Sequence, residues 1–554
     1  MARDAPKFKT IEVYFHVDRA DDRHPYHVLE RILELTKSWE IFEKYWVQDF
    51  GAGDRFFLDL TNPMTEEEIK QFIRGHFNKL EQKKEIDGWR PFDRSIVDMF
   101  VPNIESINFN SLFSVTAQNM RSSVIRQLLA VLKEKDIISF AGGIPDPKSF
   151  PIEVIGSLLN DKILLKQNDF AKARRALQYD ETSGLEELRL KTLEVAEKTL
   201  KIKDQTPHNI MITAGSQQAL FGLAHILVNK WDSIVVEAPT YTGALGPFRM
   251  HTSKFHELEL GMDGPKPSDL KKVLEKHHPK FVYLIPNFQN PAGVTTSLDA
   301  RKEIYAVVCE HNSQFKGLES KYKTLIIEDD PYGSLRYEGK YLPPIKSFDT
   351  EDIVVYLGSF SKIFAPGIRL GCMIARKDIV DKLVQAKQSY DLHSSSLSQW
   401  LAYEFLMEGD IVSGHIKNIK KMYKGKRDAM LDALEESGLQ RFGFRWTKPE
   451  GGMFLWLTGP DNFDANEVVN KRLLDKEYMT NLNDALKSDN PDFKEFLNRV
   501  AIVPGEDFYA LNPETHKNTA RVNFSKPTIE NIAEGVRILS KALPESLGFI
   551  DQVK

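Results

Sequence analysis

The chain has 554 residues, 42% of them hydrophobic and 28% charged, with a formal net charge of -5; this is the composition of a soluble globular protein with room for about three or four domain-sized units. The charge balance gives no general reason to expect nucleic acid or an anionic membrane surface as a partner. The two cysteines, Cys309 and Cys372, exclude a disulfide framework and a cysteine-based metal site. No run approaches the roughly 18 apolar residues of a membrane span and the N-terminus lacks an apolar leader core, so a cytoplasmic setting is the expectation.

In chain order, KTIEVYFHV (9–17) alternates like a strand, and HPYHVLERILELTKSWEIFEKYW (24–46) has helical periodicity. DRFFLDL (54–60) is strand-like again, and TEEEIKQFIRGHFNKL (65–80) opens with Thr65 in capping position before a second helix. Residues 1–100 are therefore expected to form a small α+β module. It carries 16 Lys/Arg against 20 Asp/Glu, and this acidity argues against a DNA-binding head. His24 and His27 lack a third nearby ligand and read as a helix start. The polar stretch EQKKEIDGWRPFD (81–93) reads as a linker.

An arm over 101–140 contains the amphipathic VIRQLLAVLK (124–133) and leads into ISFAGGIPDPKSFP, whose glycines and prolines demand a set, irregular loop. From 141 to 395, apolar strands alternate with amphipathic helices: NIMIT, SIVVEAP, KFVYLIP, TLIIEDD, IVVYLG and RLGCMIA are the strands. That order predicts a large α/β domain built on a mostly parallel sheet covered on both faces. Long helices over 397–437, then GGMFLWL, a helix near 465–477, AIVPG, RVNFS and a last helix from about 528 predict a smaller α+β domain over 396–554.

Lys362 stands in SFSKIFAPGIRLG, just past the apolar strand IVVYLG, where ligands bind in open α/β sheets. Ser359, Ser361 and Arg369 beside it suit a dianionic phosphate, and a lysine in that company is what pyridoxal phosphate (PLP) needs as its covalent anchor. Other parts of the chain offer the remaining partners. TAGSQQAL puts Ser216 and Gln217 at a helix N-terminus, which favours an anion, although Gly-Ser there is also ordinary capping. LIIEDDPY places Asp329 at a strand end, where it could hold a pyridine nitrogen protonated or merely cap a turn. Tyr332 follows, able to donate to a phenolate oxygen. Asn290 in PNFQNPAG is a second partner for that oxygen, or a plain turn residue. Tyr241 in EAPTY can stack on a ring, and Arg521 in RVNFS can take a substrate carboxylate.

Together with ALQY, SGLEELR, GGMFLW and VPGEDFY, these motifs resemble the fold type I PLP-dependent aminotransferases of class I/II over residues 113–545. The resemblance is strongest to the kynurenine/α-aminoadipate and fungal aromatic group. It implies the PLP-transferase fold, PLP as cofactor, a homodimer, and a ping-pong exchange between an amino acid and a 2-oxo acid such as 2-oxoglutarate. Lys362, Asp329 and Tyr241 then match catalytic positions. Ser216, Gln217, Tyr241, Asn290, Asp329, Tyr332, Ser359, Ser361 and Arg369 match cofactor ligands. Arg521 matches the carboxylate anchor, and Gly143, Arg126, Asn290, Phe454 and Tyr179 the substrate pocket, Tyr179 reaching over from the second subunit. No metal, nucleic acid or membrane is implied. The rival readings are a PLP-binding transcription regulator and a PLP-dependent lyase or decarboxylase. The chain departs from the family pattern in its first 100 residues, around 312–323, and over 482–496.

Overall fold

The computed structural model describes residues 7–15, 42–49, 54–65, 71, 112–118, 120, 134–165, 170–315, 322–490 and 493–549. The chain divides into two compact units, Met1–Met120 and Arg121–Lys554. In the first, β1 (Lys7–Phe15), β2 (Phe42–Asp49) and β3 (Asp54–Thr65) form an antiparallel sheet in the order β1-β3-β2. One expectation is corrected. Residues 42–46 are strand and not the end of a helix, because their aromatic residues suit a pleated surface and pair along β3. Thr65 is the last residue of β3, paired with Lys7, and residues 66–70, where the second helix is expected to begin, lie outside the described residues. His24, His27, Arg126 and the stretch 124–133 lie outside the described residues.

Among the described residues of the second unit, the first strand is β4 (Ile137–Ser139), and helix α1 (Glu186–Val195) comes later. Strand β5 (Ile210–Thr213) leads to α2 (Ser216–Leu227), and β6 (Ser233–Ala238) to α3 (Thr242–His251). Next come β7 (Lys254–Gly261), β8 (Gly264–Pro265), α4 (Pro267–His277) and β9 (Phe281–Leu284). Helix α5 (Leu298–Ser313), capped by the Ser297 hydroxyl, precedes β10 (Leu325–Asp330), and β11 (Val354–Ser359) and β12 (Gly371–Ile374) follow. These strands make one eight-stranded sheet, β5-β12-β11-β10-β9-β6-β7-β8. β11, β10, β9, β6 and β7 are mutually parallel, whereas β12 runs antiparallel to both β11 and β5.

One face of this sheet packs Val236, Tyr283, Ile327 and Val355 against Leu220 and Leu223 of α2, Phe248 of α3, and Leu383 of α6 (Lys377–Tyr390). The other face packs Val235, Val282, Ile326 and Val354 against Leu270 and Leu274 of α4 and Ile304 and Val308 of α5. Burial on both faces is why these strands read as unbroken apolar runs.

Helices α7 (Ser396–Met407) and α8 (Gly409–Glu436) then lead to a smaller region. There β13 (Arg445–Trp446), β14 (Phe454–Thr458), β16 (Val503–Pro504) and β17 (Thr519–Asn523) form an antiparallel sheet, β13-β14-β17-β16. Between them, α9 (Lys476–Asp489) is capped by Asp475, so the lengthened segment begins as helix, and β15 (Arg499–Ala501) pairs in parallel with β4. Helix α10 (Ile529–Ser546) and α8 cover this sheet with Val536, Leu539, Met430 and Leu434. Among the described residues, no helix is long and apolar enough to cross a membrane.

Candidate active site

The carboxyl ends of β5, β6, β9, β10 and β11 lie along one edge of the large sheet, and the loops leaving them carry the residues singled out above. Lys362 sits in the span 360–370, between β11 and the returning β12, where Ser359 stands opposite Gly371. A Cβ on Gly371 would lie 2.8 Å from the Gly358 carbonyl oxygen and 2.9 Å from the Ser216 backbone nitrogen. Only glycine lets the returning strand pass so close to the start of α2. That approach sets Arg369 against α2, where its Nη2 donates to the Ala214 carbonyl at 3.3 Å. No side chain caps α2, whose N-cap is Gly215 at φ 80°. The first N–H groups of α2, Arg369, and the hydroxyls of Ser359 and Ser361 together suit a dianion. Gln217 Nε2 also donates to the Gly243 carbonyl at 2.5 Å and Tyr241 Oη to Gln217 Oε1 at 3.4 Å, which ties the Tyr241 loop to α2.

Lys362 Nζ donates to the Gly143 carbonyl at 3.1 Å and lies 5.9 Å from the centre of the Tyr332 ring. Burial first, then the charges of Arg521 and Arg369, push this amine down to about 8. Asp329 is 2% exposed. Its Oδ2 accepts from Tyr283 Oη at 2.9 Å, its Oδ1 is buried with no partner among the described residues, and burial pushes the carboxyl up to about 7. A desolvated carboxylate with one idle oxygen fits a protonated ring nitrogen, whose charge would offset the cost of burial.

Tyr332 shares a side-chain hydrogen bond with Asn290, and burial raises its phenol. Asn290 Oδ1 in turn accepts from Arg521 Nη1 at 3.0 Å. Arg521, in the middle of β17 and not at its start, is 1% exposed. Its Nη2 donates to the Ala141 carbonyl at 2.8 Å, its Nε has no acceptor among the described residues, and its guanidinium lies 4.4 Å from the centre of the Phe454 ring. Among the described residues no carboxylate pairs with it, and burial pushes it down to about 10. Phe454 stands edge-on to Tyr332 at 6.0 Å, and a Cβ on Gly143 would come within 3.1 Å of it.

The structure thus gathers Lys362, Asp329, Tyr332, Asn290, Arg521, Gly143 and Phe454 around one space. Tyr241, Gln217, Ser216, Ser359, Ser361 and Arg369 stand along its phosphate-suited side. Tyr179 is not brought in: it is 77% exposed and lies edge-on to His393 at 5.7 Å. Arg126 is outside the described residues. Three supporting residues escaped the sequence reading. Tyr283, which holds Asp329, stands on β9, and only the pairing of β9 with β10 brings its hydroxyl to that carboxylate. Glu237 closes an apolar strand in SIVVEAP. Its Oε2 accepts from Gln289 Nε2 at 3.0 Å, and Gln289 also donates to the Pro239 carbonyl and accepts from the Ala292 N–H. Glu237 and Gln289 therefore join the Tyr241 loop to the Asn290 loop, and burial pushes Glu237 up to about 8.

Comparison with known proteins agrees with this geometry. Residues 155–539 match the family model for aminotransferase class I and II. The aromatic-amino-acid aminotransferase 1 of Thermococcus litoralis is 39% identical over 447 residues, covering 80% of this chain and 96% of that protein. The 2-aminoadipate transaminase of Thermus thermophilus is 34% identical over 450 residues, 81% of this chain and all of that one. Among solved structures, the multiple substrate aminotransferase of Thermococcus profundus superposes with a TM-score of 0.68 at 37% identity, over 80% of this chain and 100% of that one. These relatives do not favour a regulator or a lyase. The chain belongs to the class I and II aminotransferases: it is a PLP-dependent enzyme of fold type I that transfers amino groups.

Proposed function

We propose that the chain moves an amino group from an aromatic or 2-aminoadipate-like amino acid to a 2-oxo acid, with 2-oxoglutarate as acceptor, in two half-reactions that share one site. The observation that carries this reading is Arg521: a buried guanidinium with an idle Nε and no carboxylate partner among the described residues, next to Lys362 Nζ's surroundings at Gly143. A buried cation left unpaired is costly unless a ligand completes it, and both an amino acid and a 2-oxo acid carry the α-carboxylate that would do so. The relatives named for aromatic amino acids and for 2-aminoadipate support the donor class.

PLP, when bound, supplies the aldehyde that captures the amino group and the electron-poor ring that spreads the charge left on Cα. The chain's own residues do the rest. Arg521 holds the substrate carboxylate and thereby aims Cα at Lys362. Lys362 Nζ, pushed down to about 8, has a neutral fraction at physiological pH and takes and returns the Cα proton. Asp329 Oδ1 would keep a proton on the ring nitrogen, and Asn290 and Tyr332 would hydrogen-bond the phenolic oxygen. The rim of α2, Ser359, Ser361 and Arg369 would hold the phosphate, and Phe454 walls the substrate side.

The protein is proposed to work as a cytoplasmic homodimer. Leu177, Tyr179 and Leu392 are 71%, 77% and 52% exposed, an apolar surface that a second copy would cover. Both cysteines are free, as a reducing compartment allows. The test of the reaction is the visible absorbance of the holoenzyme on adding single amino acids without any oxo acid. Aromatic and 2-aminoadipate donors are expected to convert the band, and 2-oxoglutarate to restore it; a band that no amino acid shifts overturns the reading.

A further inference from the structure

Behind Asn290 and Tyr332 runs a buried polar chain that the reaction itself does not use. Arg301, on α5, is fully buried. Its Nε donates to the Thr296 carbonyl at 2.9 Å and its Nη1 to the Pro343 carbonyl at 3.0 Å, while Nη2 reaches the Pro286 carbonyl at 2.8 Å and Asn287 Oδ1 at 2.7 Å. Because Asn287 Oδ1 is taken by a cation, its Nδ2 points the other way and donates to Asp330 Oδ1 at 3.0 Å. The same Asp330 oxygen accepts the Gly333 N–H at 2.8 Å, and Oδ2 accepts from Tyr356 Oη at 3.2 Å. A Cβ on Gly333 would lie 2.4 Å from Asp330 Oδ2, so the backbone just after Tyr332 is seated directly on this carboxylate.

The chain runs from Arg301 through Asn287 to Asp330, and its last two members each adjoin one side of the site. Asn287 is three residues before Asn290 on the loop after β9. Asp330 is the last residue of β10, two residues before Tyr332. We propose that Arg301, Asn287 and Asp330 form a positioning relay that sets the separation of Asn290 and Tyr332 and so tunes the cofactor held between them. This rests on the reading that Asn290 and Tyr332 face the cofactor's phenolic oxygen. The three are positioning residues, since none touches the reacting atoms. The charged and titratable groups around Asp330 are Arg301, Glu328, Asp329, Tyr341 and Tyr356, and those around the Asn290–Tyr332 pair are Arg521, Lys362, Asp329 and Tyr241.

The test is the pH midpoint of the visible absorbance change of the holoenzyme. Tyr332→Phe and Asn290→Ala each remove a donor from the phenolic oxygen and are expected to raise the midpoint by about one unit. Asn287→Ala breaks the relay and is expected to raise it by about half as much. Tyr356→Phe loses only one donor to Asp330 and is expected to move it in the same direction by less, while keeping the fold intact if Asn287→Ala does not. If Tyr332→Phe and Asn290→Ala move the midpoint but Asn287→Ala and Tyr356→Phe leave it at the wild-type value, the relay is structural only and the proposal is overturned. If the two direct variants leave it unmoved, the assignment of the pair is itself wrong, and the relay falls with it.

Discussion

At the end of the site nearest β10, Asp329, Tyr332, Asn290 and Arg521 are 2%, 4%, 5% and 1% exposed; at the end nearest α2, Arg369 is exposed and Ser359 and Ser361 are half-buried. The first group owes its chemical poise to the absence of water. Burial is the leading cause of the shifts at Asp329, Lys362 and Arg521 alike. The second group stays close to solvent and acts by number: a helix terminus, two hydroxyls and a guanidinium share one anion. Substitutions at the dry end should therefore be severe and visible in protonation, and those at the wet end milder and sensitive to salt.

Lys362→Ala should have the largest effect, a loss of turnover of about 10³-fold or more in a steady-state assay with an aromatic donor and 2-oxoglutarate. Full activity in that variant would remove Lys362 from the reaction. Asp329→Asn should lower kcat by about 10²-fold or more, yet stabilise the cofactor-free protein to heat. The sign comes from the raised carboxyl. Between the ordinary 3.8 and about 7, the folded state holds a proton that the unfolded state has lost, so stability falls as pH rises through that window. The gain from Asn should accordingly be full above pH 7 and vanish below the ordinary carboxylate value; a gain independent of pH would contradict it.

Arg521→Lys keeps the charge but loses the planar fork, and should raise KM for the amino acid by about 10- to 100-fold with a smaller change in kcat. At the wet end, Arg369→Gln should weaken cofactor retention by about 10-fold, and added salt should narrow the gap from wild type. Smallest of all, Glu237→Gln should leave activity intact and alter stability by about 1 kcal/mol or less at pH 7. A buried acid pushed up to about 8 is already mostly neutral there. Denaturant midpoints measure this, and a large loss would mean that Glu237 is ionised beside Asp329.

The sequence carried the site-bearing edge well, because β5, β6, β9, β10 and β11 are buried on both faces and each ends in a short, residue-specific turn. IIEDDPY, PNFQNPAG and SFSKIFAPGIRLG each name their strand and their loop together. What it hid were partners across strands. Nothing along KFVYLIP marks Tyr283 as the hydroxyl for Asp329 until β9 and β10 are laid side by side, and Arg301 reads as one more charge on an amphipathic helix. The reversed direction of β12 was hidden for the same reason, since an apolar strand of four residues does not say which way it runs. In the N-terminal unit, local periodicity misled over 42–46, where pairing with β3 outweighs it.

Because β12 comes back beside β11, the span 360–370 leaves and re-enters the sheet at the same edge. A parallel return would have needed a crossover of about a dozen residues or more, and would have carried the chain to the far edge. Added length in this span would shift Lys362 against Arg369 directly. The stretch 312–323, where the sequence is expected to exceed the family pattern, instead stands in the chain between α5 and the amino end of β10, across the sheet from the chemistry. The molecule thus has one taut edge and one slack edge, and a scan of short peptide insertions should separate them cleanly, with catalysis lost along the first and kept along the second.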